Sequence, residues 1–291
     1  MASIWLNGAL VPTEQARISL FDHGLLYGDG VFEGIRFYQR RGFHTDTHLR
    51  RLFDSARALR LSVPYSKDEL IHAIQQTIDG FDADNGYLRL VITRGTGPLG
   101  LDPGLCLKPT VFIIADQLAV FNPIKRQQGL RLVIASTRRL PLDGLDPRIK
   151  SLNYLNHALA RMEASRADAD EAILLNQQGY VTEGSTDNIF IVKNGCLLTP
   201  PVSDGALDGV TRSVVLQLAH QHGIESREVS LAPYDLYTAD ECFLTGTAIE
   251  LAPVCVIDDR PMAVCPGPVF SELSAAFTAL TAQHAGLAVN V

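Results

Sequence analysis

Arg148-Ile149-Lys150-Ser151-Leu152-Asn153-Tyr154-Leu155-Asn156 is the stretch from which the chain is best read. A loop rich in Pro, Asp and Gly runs into it over 137–147, behind a β-type run at 130–136. From Leu152 to Arg166 the apolar positions recur at helical spacing. Strand, loop, lysine and helix make the opening of an α/β unit. Only five of the 25 basic residues are lysines (Lys67, Lys108, Lys125, Lys150 and Lys193), so chemistry that needs an amine has few candidates. The apolar neighbours of Lys150 predict partial burial, and a desolvated lysine is an imine-forming nucleophile. An ordinary surface lysine would be written the same way.

Downstream, strands are expected at 171–176 and 188–193, with a turn at Gln177-Gln178-Gly179 and an Asn194-Gly195 hairpin leading to 196–199. A helix over 211–222, a strand at 225–229, a short helix near 234–237, a strand at 241–245 and a last helix over 269–284 complete this unit. Upstream, Asn7-Gly8 turns a hairpin between 4–6 and 9–11, and a Gly-studded loop over 21–30 feeds a strand at 31–38. A helix capped by Asp46 or Thr47 carries Leu49, Leu52, Phe53, Ala56 and Leu59 on one stripe. Ser66 with Glu69 forms the capping box of a second helix, to about Ile78. Strands at 87–93 and 110–115 flank a loop at 95–103. The expectation is a two-domain α+β and α/β fold: an N-terminal domain over 1–116, a linker at 117–128, and a C-terminal domain over 129–291 that holds Lys150.

Composition excludes several classes. The 291 residues are 46% apolar and 20% charged, with 25 basic against 32 acidic side chains and a net charge of −7. That balance fits packed domains, not collagen-like or disordered chains. Without a basic block, nucleic acid is a poor partner. No apolar run reaches bilayer length, so no membrane partner is expected. Cys106, Cys196, Cys242, Cys255 and Cys265 form no CxxC pair, against a disulfide framework or a thiolate zinc site. His220 and His222 point apart on a helix and no HExxH occurs, so no metal is expected. There is no GxSxG elbow, and Gly24, Gly28 and Gly30 miss the dinucleotide spacing. The first residues carry no basic and apolar leader, and the expected location is the cytoplasm.

Three loops suit a ligand. Gly209-Val210-Thr211-Arg212 opens a helix, where backbone N–H groups and the Thr211 hydroxyl make an anion site, although a plain helix start reads alike. Thr245-Gly246-Thr247-Ala248 follows an apolar strand; its glycine lets backbone approach a ligand, and its hydroxyls suit phosphate or carboxylate oxygens. Thr182-Glu183-Gly184-Ser185-Thr186-Asp187-Asn188 sets a carboxylate among small residues at a strand end. A partly buried acid there needs a cationic partner, and none stands near it in sequence, which leaves a cation of the ligand as a candidate. An amine, an acid and two anion loops together match pyridoxal 5'-phosphate.

Taken in order, seven segments resemble the class-IV (fold type IV) pyridoxal-phosphate aminotransferases, and among them the branched-chain amino-acid aminotransferases. They are Phe21-Asp22-His23-Gly24-Leu25-Leu26-Tyr27-Gly28-Asp29-Gly30-Val31-Phe32-Glu33-Gly34-Ile35-Arg36, His48-Leu49-Arg50-Arg51-Leu52, Tyr87-Leu88-Arg89, Lys150-Ser151-Leu152-Asn153-Tyr154, Glu183-Gly184-Ser185, Gly209-Val210-Thr211-Arg212 and Thr245-Gly246-Thr247. The resemblance implies that Lys150 carries the cofactor and then moves the proton between it and the substrate Cα. Glu183 would pair with the pyridine nitrogen, Tyr154 with the ring's phenolic oxygen, and Leu207 would lie against the ring face. Arg51 would clamp the phosphate in bidentate fashion, aided by Val210, Thr211 and Thr247, with Arg50 left to solvent. Tyr27, Phe32 and Tyr87 would line a side-chain pocket, while Arg89 and the N–H groups near Thr247 and Ala248 receive carboxylates.

The implied reaction is transamination of L-leucine, L-isoleucine or L-valine with 2-oxoglutarate, giving branched 2-oxo acids and L-glutamate, a step of branched-chain amino-acid biosynthesis. D-amino-acid aminotransferases and aminodeoxychorismate lyases share the fold and the Lys-Ser-Leu-Asn string. The run from Val31 to Arg36 with Tyr87-Leu88-Arg89 favours the branched-chain branch. The family assembles as a homodimer with shared sites, so Leu99 and Leu101 would add apolar wall to the other subunit's pocket.

Overall fold

The computed structural model describes residues 2–117 and 128–286. Its contacts divide the chain into Met1–Leu118 with Ile149–Asn153 and Thr281–Val291, and Ala119–Arg148 with Tyr154–Leu280. The sequence reading puts Lys150 in the second domain, whereas hydrogen bonds attach it to the first unit. Ser151 bridges Val31, Phe32 N–H donates to the Lys150 carbonyl at 3.0 Å, and Leu152 N–H donates to Gly30 at 2.9 Å. Nearly all of the expected linker, residues 118–127, lies outside the described residues.

In the first unit, β1 (Ser3–Leu6), β2 (Ala9–Val11), β3 (Gly30–Tyr38), β4 (Arg41–Gly42), β5 (Gly86–Thr93) and β6 (Thr110–Asp116) form one antiparallel sheet in the order β2-β1-β6-β5-β3-β4. Asn7 and Gly8 take the positive φ values, 48° and 114°, that the β1–β2 turn requires. The helices are α1 (His23–Tyr27), α2 (Thr45–Ala58) and α3 (Lys67–Asp79). The α3 start is the expected capping box: Ser66 N–H donates to Glu69 Oε2 at 2.7 Å, and Glu69 N–H to Ser66 Oγ at 3.3 Å. Helix α2 begins ahead of both expected caps, on His44 in the left-handed region. Leu49, Leu52 and Ala56 of α2 and Leu70, Ile74 and Ile78 of α3 share a core with Val31, Ile35, Phe37, Leu88 and Ile113.

In the second unit, β7 (Leu130–Ile134), β8 (Glu171–Leu175), β9 (Val181–Gly184), β10 (Asn188–Lys193), β11 (Cys196–Thr199), β12 (Ser226–Glu228), β13 (Glu241–Gly246) and β14 (Glu250–Ile257) order as β12-β11-β10-β13-β14-β7-β8-β9, with β15 (Arg260–Pro261) paired on β14. Helices α4 (Leu155–Arg166), α5 (Val210–Gln221), α6 (Pro233–Tyr237) and α7 (Pro268–His284) accompany it. Ala160 and Ala164 of α4 pack on Ala135, Ala172 and Leu174. Strands β9 and β14 are absent from the sequence reading. Pro253 hides β14; it is tolerated because β14 pairs only with β13 there, its pairing to β7 starting at Val254. Among the described residues no helix is long and apolar enough to cross a membrane.

Candidate active site

Strand periodicity sorts the first unit's candidates onto two faces. Phe32 pairs with Val91, Gly34 with Arg89 and Arg36 with Tyr87, so Phe32, Gly34, Tyr87 and Arg89 share one face of β3–β5. A Cβ on Gly34 would overlap the Tyr87 hydroxyl, so glycine lets the ring lie across β3. The Arg89 guanidinium sits 4.7 Å from the Phe32 ring centroid and 5.6 Å from that of Tyr87, and donates to the Tyr87 hydroxyl at 3.2 Å. Lys150 Nζ stands 4.5 Å from the Phe32 centroid. Its own N–H donates to Ser55 Oγ of α2 at 3.2 Å. One phenyl ring therefore carries both cations, amine and guanidinium.

Glu33 points to the other face, against α2. His48 and Arg51, three apart on that helix, reach it together. His48 Nδ1 donates to Glu33 Oε2 at 2.7 Å, Arg51 Nε to Oε1 at 2.7 Å and Arg51 Nη2 to Oε2 at 2.8 Å. Glu33 is wholly buried. Burial alone would raise its pKa, but the charges of Arg51 and His48, with their hydrogen bonds, outweigh burial and hold it at about 2. Burial also lowers the His48 imidazole, against the pull of Glu33. The expected bidentate face of Arg51 is thus turned to Glu33, a partner that the phosphate assignment leaves out. Arg50 is exposed, as the helix phase requires.

Tyr27 belongs to a braced corner. Its hydroxyl accepts the Gly100 N–H at 3.0 Å, His23 Nε2 lies 2.9 Å from the Pro98 carbonyl, and Gly97 N–H donates to Phe21. Buried Asp22 accepts from the Thr93 and Thr110 hydroxyls and from Gly24 N–H. The loop is held to its own unit, while Leu99 and Leu101 project from it, 72% and 78% exposed.

In the second unit Glu183, 4% exposed, is the penultimate residue of β9. Its Oε1 accepts from Arg139 Nε at 2.8 Å and its Oε2 from Leu207 N–H at 2.8 Å. The sequence offers no cation near this acid and leaves a ligand cation as the candidate; the fold supplies one from afar, since β7 and β8 lie side by side and Arg139, five residues past β7, reaches an acid 44 residues on. Asn188 Nδ2 donates to the Leu207 carbonyl at 3.0 Å. Gly209 is the N-cap of α5, with no side-chain capping bond; Val210 and Thr211 follow it, each 6% exposed. Across β10 and β13, Asn188 pairs with Thr245. Thr245 Oγ1 is buried without a hydrogen-bond partner among the described residues. Thr247 and Ala248 form the turn that follows. Burial, then the nearby Glu171, push the carboxyl of Asp187 well above its ordinary value. Tyr154 is the N-cap of α4 and stacks on His157 at 4.3 Å. The helix starts at Leu155, so the four-residue spacing to Lys150 is loop, not a helical turn.

The first unit thus brings Lys150, Phe32, Tyr87 and Arg89 together, with Arg51 on the α2 side; the second does the same for Glu183 and Leu207, beside α5. A class-IV amino-transferase family model matches residues 30–257. The chain belongs to the class-IV aminotransferases. A Methanocaldococcus jannaschii relative, provisionally named a branched-chain-amino-acid aminotransferase, is 52% identical over 88% of each chain. The branched-chain amino acid aminotransferase structure from Escherichia coli aligns with TM-score 0.93 at 36% identity over 96% of this chain and 94% of that one. The branched-chain amino acid aminotransferase from Thermobaculum terrenum, solved in its PLP-bound holo form, aligns with TM-score 0.87 at 29% identity over 97% and 94%. Within this aminotransferase chain, sequence reasoning missed Arg139, Asn188 and the Glu33 network. Glu33 lay inside a quoted motif, and the doublet Arg138-Arg139 was the available signal for the cation.

Proposed function

We propose that the chain is a pyridoxal-phosphate-dependent branched-chain amino-acid aminotransferase, passing the amino group of L-leucine, L-isoleucine or L-valine to 2-oxoglutarate. The observation that carries the reading is Glu183: a buried carboxylate aimed by Arg139 and the Leu207 N–H, the acceptor that a protonated pyridine needs. The other donors fit the same group. Gly209 leaves the α5 N-terminus without a side-chain cap, as an anion site requires, and the Thr245 hydroxyl, without a hydrogen-bond partner among the described residues, stands at the neighbouring loop.

Bound pyridoxal phosphate would supply an electrophilic carbon and a ring that takes up electrons. Lys150 would hold it through the amine and move the proton to and from the substrate Cα. Glu183 would keep the pyridine nitrogen charged. Tyr154 would hold the phenolic oxygen, Leu207 the ring face, and Arg51, Val210, Thr211 and Thr247 the phosphate. Phe32, Tyr87 and Tyr27 would form apolar wall. Arg89, resting on Phe32, would take the second carboxylate of 2-oxoglutarate and glutamate, and the N–H groups at Thr247 and Ala248 the first.

A homodimer belongs to the same reading, with Leu99 and Leu101 completing the other subunit's pocket. In its support, Leu20, Phe21, Leu25, Leu99, Leu101 and Leu107 of one unit are all more than half exposed. Five free thiols fit the reducing cytoplasm. The deciding assay offers L-leucine, D-alanine and aminodeoxychorismate to the purified protein side by side. Wild type should convert L-leucine with 2-oxoglutarate, and Lys150→Ala should not. Conversion of D-alanine or aminodeoxychorismate alone would replace the reading with one of its fold relatives.

A further inference from the structure

We infer that Asn188 is a positioning residue that sets the approach to α5 for the cofactor's phosphate; the inference rests on the proposed reading of that helix start as the phosphate site. Leu207 is gripped at its N–H and at its carbonyl by side chains from the end of β9 and the start of β10. Its N–H goes to Glu183 Oε2 at 2.8 Å, and its carbonyl takes the Asn188 amide at 3.0 Å. Two residues on, a Cβ on Gly209 would overlap Asn188 Oδ1, so glycine alone admits the amide against the main chain. Asn188 is 6% exposed, and its place opposite Thr245 in the β10–β13 ladder fixes its backbone. The same corner reaches the second loop, since Asp187 Oδ1 lies 2.5 Å from the Cβ position of Gly246.

The consequence is geometric. The first N–H groups of α5 have no side-chain cap to orient them, so their direction follows from the path of residues 207–209. That path is pinned on one side by Glu183 and on the other by Asn188. One carboxylate and one amide, five residues apart, thereby tie the group that meets the ring nitrogen to the turn that meets the phosphate. A residue that merely filled space would leave this coupling untouched.

The test titrates apoprotein with pyridoxal phosphate and with pyridoxal, followed by visible absorbance, and reads the ratio of the two Kd values. In wild type that ratio measures the phosphate's share of binding. Asn188→Ala should weaken pyridoxal phosphate by about tenfold, the weight of one hydrogen bond, and leave pyridoxal almost unchanged. Gly209→Ala, which drives a methyl into the amide oxygen, should lower the ratio as well, and by much less when Asn188 is already alanine. Equal weakening of both ligands, no weakening of either, or strict additivity of the two substitutions overturns the inference. A wild-type ratio near one instead overturns the phosphate reading of α5 itself. Thermal unfolding without ligand checks the fold; should Asn188→Ala fail to fold, Asn188→Ser, too short to reach the Leu207 carbonyl, is read by the same ratio.

Discussion

Arg139→Ala offers the sharpest physical test of the acid that anchors the second unit. The two side chains are 7% and 6% exposed and meet at 2.8 Å, so water screens the pair little. At that distance an effective dielectric near 20 gives an attraction of about 6 kcal/mol, much of it offset by desolvation of both ions. Removing one partner of a buried pair exposes that offset as a loss of about 3–5 kcal/mol. In the variant, Glu183 keeps the Leu207 N–H and stays buried, a carboxylate without its counter-ion. Urea unfolding of the apoprotein at pH 8 measures the loss. Arg139→Ala with Glu183→Gln should recover part of the loss, because an amide needs no counter-ion. A deficit below about 1 kcal/mol at pH 8, the scale of an exposed pair, would refute the reasoning.

Three further outcomes are expected. Glu33→Gln should cost about 3 kcal/mol at neutral pH, since its drop from 4.5 to about 2 is stability present above the unfolded value and lost as pH falls toward 2; the gap between its denaturant midpoint and that of wild type should be clearly smaller at pH 3 than at pH 7. Asp187→Asn should stabilise the apoprotein at pH 8 more than at pH 4, because a carboxyl raised by burial and Glu171 destabilises only above its unfolded value; a Tm lowered equally at both would contradict the assignment. Mixing Lys150→Ala chains with chains lacking the 97–101 loop should restore part of the lost activity, as one hybrid site then has both lysine and loop; subunit exchange without recovery would place the loop in cis.

What could be read from the chain alone was what neighbours in sequence settle. Asn7-Gly8, Asn194-Gly195 and the Ser66–Glu69 capping box were legible because a turn or helix start is decided within four residues. The order of the seven motifs likewise points to the family without any tertiary contact. Local reading failed where distant elements intervene. Strand β14 was hidden by Pro253, and only the sheet order shows that the proline falls where one neighbour is missing. Sequence neighbours group Lys150 with the helix that follows it, yet ladder bonds to Gly30 and Phe32 join its segment to β3. The acids tell the same story: Glu33 finds Arg51 from 18 residues away, and Glu183 finds Arg139 from 44. A side chain's type states which partner it needs. Which partner it obtains depends on strand order and helix packing, and those are set by burying apolar surface across the whole unit, beyond any short window of residues.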